Sequence, residues 1–318
     1  MIVSVTPSEI PTLYIDLEGR DLSKNGTIAI MQLLIAPLNR IFMIDVHFMG
    51  SSVFDIAGSD GITTLKSILE SHIITKVLFD CRNDSNALSF LFDVNLRSVI
   101  DLQVMKAAYQ GRNPDQHYLY GLTKAIKDDV LYNASEADRA FPGLVKDAGN
   151  ALFAPERGGS YAAFESKPLP IELVRYCALD VMFMPALYER YDNWLESGSW
   201  HAIFRSGESV PQGKACIRKN VELATRLRVL RSQTMEYNWN NPCKIKDPWV
   251  FYHSCEERRV PSVEYCSEVI PYVQLKPEHS ERRFEIAADE EWDVAMGDME
   301  AHARKRVEEL LEWVIERY

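Results

Sequence analysis

The stretch TLYIDLE, residues 12–18, sets Leu13, Ile15 and Leu17 against Asp16 and Glu18 in a period of two. Such alternation predicts a β-strand with an apolar face and, on the other, two carboxylates roughly 6 to 7 Å apart along it. Working outward, TIAIMQLLIA at 27–36 and IFMIDV at 41–46 read as two more strands, divided by a polar turn around Ser23 to Gly26 and by Pro37 to Arg40. A parallel crossover takes a dozen or more residues, so connections this short make the three strands an antiparallel meander.

The pattern then changes. Ile62, Leu65, Ile68 and Leu69 recur at helical spacing over 60–70, KVLF at 76–79 reads as a strand, and Ala87, Leu88 and Leu91 mark a helix over about 83–92. SVIDL at 98–102 is a strand leading into a helix near 103–110, and LYGLTKAI at 119–126 is one more helix. Strands alternating with helices imply parallel neighbours. The expected class is therefore α/β: a mixed five-stranded sheet, three antiparallel strands then parallel ones, flanked by helices. The segment 132–169 reads as polar and irregular, and 170–194 as a long amphipathic helix opened by Pro170 and kinked by Pro185.

A first domain over 1–195 follows. Beyond it, 196–318 reads as a Ser- and Gly-rich linker to about 215 and a C-terminal extension of unknown function, partly helical, with a basic helix at 217–232 and a charged terminal helix near 287–317.

Composition narrows the function. The 318 residues are 47% hydrophobic and 25% charged, as in an ordinary globular protein. No apolar run approaches the roughly 18 residues that span a bilayer, the first residues lack a signal core, and the six cysteines stand singly. These features predict an intracellular protein, cytoplasmic or nuclear, without membrane attachment. A net charge of -11 argues against coating nucleic acid through a broad basic surface. It leaves room for a nuclease that holds phosphates through metal, because such a centre is built of carboxylates.

Asp16 and Glu18 repel one another on an otherwise apolar strand, and a divalent cation between them removes that cost. Read alone, the pair fits a solvated strand end better than a metal site. Asp84, in FDCRNDSNAL, opens the helix after a strand and projects at the sheet edge where such folds bind ligands; it reads also as an acid on a helix dipole. Tyr176 and Asp180 in RYCALDV are four apart and share a helix face, Cβ atoms roughly 5 to 6 Å apart. Asp180 is flanked by Leu179, Val181, Met182 and Phe183, an environment in which a carboxylate needs a partner.

In order, YIDLEG at 14–19, VLFDCRNDSNAL at 77–88 and YCALDV at 176–181 resemble the three motifs of the DEDDy 3'-5' exonucleases with a ribonuclease D-like domain, including exonuclease-domain-containing and Egalitarian-type relatives. MQLLIA around Gln32, DLQVMKAAY at 101–109 and GGSYAAFESKPLP at 158–170 add to the likeness. The resemblance implies a ribonuclease H-like fold. It makes Asp16, Glu18, Asp84 and Asp180 the ligands of two divalent cations, Mg²⁺ or Mn²⁺, and Tyr176 the residue that orients the attacking water. Leu17 and Gly19 become contacts for the terminal nucleotide, although Leu17 equally reads as core.

Arg175 stands where the sister branch has histidine, hence the tyrosine branch; Phe79 and Lys167 stand where many relatives have His and Arg. The implied substrate is the 3' end of single-stranded nucleic acid, RNA favoured over DNA. The alternative is a catalytically silent adaptor that keeps the fold. Weaker signals are the basic stripe Arg218, Lys219, Arg226, Arg228 and Arg231, a sparse Cys243, His253, Cys255, Cys266 zinc set, and the aromatics Trp239, Trp249 and Tyr252. Asp80 is expected to cap the helix that follows it.

Overall fold

A computed structural model describes residues 11–110, 118–197 and 214–241. Five strands form one sheet: β1 (Leu13–Glu18), β2 (Ile30–Ile35), β3 (Arg40–Asp45), β4 (Lys76–Leu78) and β5 (Val99–Asp101), in the order β3-β2-β1-β4-β5. β1 to β3 pair antiparallel, with Asp16 opposite Gln32, and β4 joins β1 in parallel as β5 joins β4. This is the expected mixed sheet.

Two single-turn helices, α1 (Val46–Met49) and α2 (Ser52–Asp55), follow β3 where the sequence pattern is silent. The helix expected over 60–70 shrinks to α3 (Leu65–Leu69), because the Asp60 carboxylate takes the backbone N–H groups of Ile62 and Thr63 into a turn and Thr64 then opens the helix with a capping box. α4 (Arg82–Phe92) and α5 (Leu102–Gln110) lie where expected. α6 (Leu122–Ala125) is one turn, continued by a π turn over Ile126–Val130.

The segment read as irregular contains an 18-residue helix, α7 (Glu136–Phe153), started by the Ser135 hydroxyl accepting from the Asp138 N–H. Pro142, Gly143 and Gly149 depress its local propensity, and packing on its neighbour overrides them. The long helix is broken at Phe183 into α8 (Ile171–Met182) and α9 (Met184–Ser197), as Pro185 requires. α10 (Lys214–Ser232) follows. The expected terminal helix, the zinc set, Trp249 and Tyr252 lie outside the described residues, and Cys81 and Cys177 are free, buried thiols. Among the described residues no helix is long and apolar enough to cross a membrane.

Alternation along β1 divides the interior. Leu13, Ile15 and Leu17 join Met31, Leu33, Leu78, Ala87 and Leu88 on one face. Tyr14 packs with Val77, α5 and α9 on the other, where Lys106, Asp129 and Tyr191 form a buried ion pair and hydrogen bond (2.6 and 2.7 Å). α8 lies over β1, β2 and β3, with α7 against it. Asp16 and Glu18 therefore end β1 beneath α8, at the carboxyl end of the sheet, the position at which open α/β sheets place their ligands.

Lys76 starts β4 with no exposed surface, its Nζ donating to the Ser71 and Ile68 carbonyls at 2.7 and 3.3 Å. Burial, and secondarily Arg97, lowers its pKa to about 7. Between that value and the unfolded one near 10.5 the unfolded chain carries a proton that the native state does not, so native stability rises with pH across this window. Denaturation midpoints measured from pH 6.5 to 10 are expected to climb relative to those of Lys76→Met. Parallel profiles would exclude a lowered Lys76.

Candidate active site

The carboxylates named from the sequence converge. Oxygens of Asp16, Glu18 and Asp180 all lie within 4.8 Å of one another, Asp180 only 5% exposed. β1 brings the first two from one face of the strand, and α8 lowers Asp180 from above. Asp84 stands outside that triplet but lines the same pocket, with Asp16, Glu18, Asp180, Tyr176 and Phe79. It is the third residue of α4, near the positive end of its dipole.

Ionising all these acids at once is unfavourable. Burial, then the charges of Asp180, Asp84 and Glu18, holds Asp16 well above the usual carboxylate range. Burial and Asp180 push Glu18 up to about 8. Burial raises Asp180 too, against the pull of Lys146.

Lys146 is the functional candidate that sequence reading missed. It projects from α7, and its Nζ bonds both carboxylate oxygens of Asp180 while standing 3.4 Å from the centroid of the Tyr176 ring. Burial opposes its charge, but Asp180 and Glu18 hold it above the ordinary lysine value. The only local signal was its place on an amphipathic helix whose glycines and proline obscure the period. Tyr176 is clasped between Lys146 and Phe153, whose ring stands at right angles to it with centroids 5.2 Å apart, and Gly149 leaves room for it: a Cβ there would meet the Tyr176 side chain at 2.5 to 2.8 Å. Burial and the neighbouring Glu18 push the phenol far above its usual pKa, so it stays protonated.

The remaining expectations divide. Leu17 is 3% exposed and sits in the core cluster with Ile15, although an edge of it lines the pocket. Gly19 is not among the lining residues, and what demands a glycine there is the Thr27 carbonyl, 2.0 Å from where a Cβ would stand. Asp80 does not cap α4, whose N-cap is Cys81; its carboxylate instead grips the Arg82 guanidinium. Lys167 is ion-paired with Asp45 and stands over Phe48. The basic stripe on α10 divides: Lys219, Arg226 and Arg231 are exposed, whereas Arg218 pairs with Asp192 and Glu196, and Arg228 is buried against Asp101.

Four carboxylates with no thiolate or imidazole among them form a hard oxygen set, which suits Mg²⁺ or Mn²⁺. Burial weakens the acidity of Asp16, Glu18 and Asp180, as do the neighbouring carboxylates for Asp16 and Glu18; a divalent cation would offset both costs, and the residues fit such a site. Gln32 adds a wholly buried amide on this face, opposite Asp16 and beside the buried Cys177 thiol.

The likenesses to known proteins point the same way. The piRNA biogenesis protein EXD1 of Mus musculus is 24% identical over 172 residues, 54% of this chain and 27% of that protein. The Homo sapiens EXD1 is 32% identical over 92 residues, 29% of this chain and 16% of that protein, so only a minor part of either relative's length is matched. Trypanosoma brucei RNase D, solved with RNA U12, superposes with a TM-score of 0.50 and 18% identity over 75% of this chain and 70% of its own. That likeness establishes the fold. A family model described as 3'-5' exonuclease matches residues 6–196, more than half of the sequence, and the chain belongs to this exonuclease family, in its DEDDy branch.

Proposed function

We propose that the protein is a metal-dependent 3'-5' exonuclease that removes nucleotides from the 3' end of single-stranded nucleic acid, RNA in preference to DNA. One observation carries this reading: three carboxylates within 4.8 Å of one another share a pocket with Asp84 and a protonated tyrosine. Two divalent cations, when bound, supply an activated water and stabilise the leaving 3' oxygen.

Asp16, Glu18, Asp84 and Asp180 hold those cations. The Tyr176 hydroxyl, too weakly acidic to serve as a base, orients the attacking water by hydrogen bonding. Lys146 offsets the charge of Asp180 and fixes the phenol ring from above. Leu17, at the pocket floor, packs against the terminal base, and the backbone near Gly19 meets its sugar. The preference for RNA is supported by the RNA in the trypanosomal structure and by the piRNA pathway named for the curated relatives. The buried free thiols accord with a reducing compartment, the cytosol or nucleus.

Digestion of end-labelled oligonucleotides tests polarity, sugar and metal together. With Mn²⁺ or Mg²⁺, 5'-labelled single-stranded RNA should shorten stepwise and 3'-labelled RNA should release its label in the first turnover, DNA reacting more slowly and EDTA stopping both. Tight RNA binding in EDTA with no shortening under any metal would establish the adaptor alternative instead.

A further inference from the structure

α10 and the residues after it lie beyond the matched family segment, yet they are bonded to the helix that presents Asp84. β4 enters α4 through Asp80, whose backbone is left-handed at φ 65°. Asp101, fully buried at the end of β5, fixes this turn by accepting the backbone N–H groups of Asp80 (2.9 Å) and Cys81 (3.3 Å). Arg228 of α10 supplies its counter-charge at 2.7 Å, and also donates to Gln103 at 3.0 Å and lies 3.8 Å from the Asp80 carboxylate.

Beyond α10 the chain runs along the first turns of α4. The Asn86 amide donates to the Ser232 carbonyl at 2.7 Å, the Gln233 amide to the Ser85 hydroxyl at 3.1 Å, and the Tyr237 hydroxyl to the Asn83 side-chain oxygen at 2.8 Å. Positions 83, 85 and 86 are thus held on both sides of Asp84. Asp80 and Asn83 line the pocket with it.

We propose that residues 228–237 are a positioning clasp for Asp84, so that the working exonuclease unit extends to about residue 241 instead of ending near 195. Arg228 and Tyr237 are positioning residues in this arrangement: neither lines the pocket, and both act through the turn and the helix that carry the carboxylate. A residue that orients a metal ligand typically changes metal affinity by 10 to 100-fold when it is altered. This inference rests on the reading of the acids as a metal site, and its test separates the two.

The full chain is compared with Tyr237→Phe, which keeps the ring, with Arg228→Met, and with the charge-conserving Arg228→Lys. Three quantities are read: Mn²⁺ affinity by calorimetry without nucleic acid, amide hydrogen exchange over 80–88, and kcat and KM on a single-stranded oligonucleotide. Tyr237→Phe should weaken Mn²⁺ binding about tenfold, lower kcat with KM unchanged, and speed exchange over 80–88 while β1 and β2 keep their protection. Arg228→Met should exceed these effects, and Arg228→Lys should restore part of the loss. Wild-type affinity and wild-type local exchange in Tyr237→Phe and Arg228→Met would overturn the clasp, as would faster exchange over the whole domain with metal affinity retained. If the wild-type chain binds no Mn²⁺, the metal reading fails, and exchange over 80–88 still decides whether the clasp exists.

Discussion

Asp180→Asn is expected to reduce metal-dependent trimming of a 3' end by about 10³-fold or more and to abolish the stabilisation that Mn²⁺ gives the wild type. The loss follows from removing the one ligand that α8 contributes to a triplet of carboxylates within 4.8 Å. An amide retains the shape and gives up the charge, and a deficit of about 4 kcal/mol in transition-state stabilisation corresponds to three powers of ten. Two opposed effects act on the stability of the metal-free variant: burial disfavours the ionised form of Asp180, so losing the charge is favourable, while the buried Lys146 ammonium loses its bonded carboxylate. Neutralising it also relieves the repulsion that Asp180 exerts on Asp16 and Glu18.

Thermal melts and single-turnover assays on the same preparations check both halves. Mn²⁺ should raise the melting temperature of the wild type, since a ligand that binds only the native state stabilises it by mass action, and should leave that of the variant nearly unchanged. A variant whose melting temperature still rises with Mn²⁺ as that of the wild type does would mean that Asp180 is not a ligand of the metal.

Gly149→Ala is expected to lower kcat by about 10 to 100-fold while leaving Mn²⁺ affinity close to wild type. The added methyl carbon would stand 2.5 Å from Tyr176 Cδ2 and 2.8 Å from its Cβ and Cγ, and these are the root of the ring, not a flexible end. The ring is restricted in how it can yield, with Lys146 over its face and Phe153 packed at right angles to it. The hydroxyl is displaced as a result, and a shift of about 1 Å in a group that aligns reactants costs on the order of 10²-fold.

Helix propensity acts in the variant's favour, alanine being about 1 kcal/mol better than glycine inside a helix, so melting of α7 would not account for the loss. Burst kinetics and Mn²⁺ titration distinguish this outcome from Asp180→Asn, in which metal affinity itself disappears. Unchanged kcat in Gly149→Ala would show that the Tyr176 hydroxyl takes no part in orienting the water.

Much of the acidic wall is legible in the amino-acid sequence. The period of two in TLYIDLE fixes which side of β1 carries acids, and the four-residue spacing in YCALD puts Tyr176 and Asp180 on one helix face; both are backbone geometry and owe nothing to distant residues. The strand directions follow almost as directly, since short connections make antiparallel neighbours and intervening helices make parallel ones, but that β4 pairs with β1 and not with β3 is decided by the tertiary structure. α7 is not legible in the same way, because Pro142, Gly143 and Gly149 lower the local signal and the helix is secured by its packing on α8, which a residue-by-residue pattern does not register.

The sequence by itself therefore determined the strands, their directions and the side chains that form one acidic surface. The tertiary structure alone decided which cations meet them. Lys146 reaches Asp180 across 34 positions and Arg228 reaches Asp101 across 127. A lysine or arginine looks the same in sequence whether it is solvated or buried against a carboxylate. Only the closing of α7 over α8 and of α10 over β5 removes the water that would otherwise screen the charge, and that removal ties Lys146 to a carboxylate of the site and Arg228 to the residue that holds the turn before Asp84.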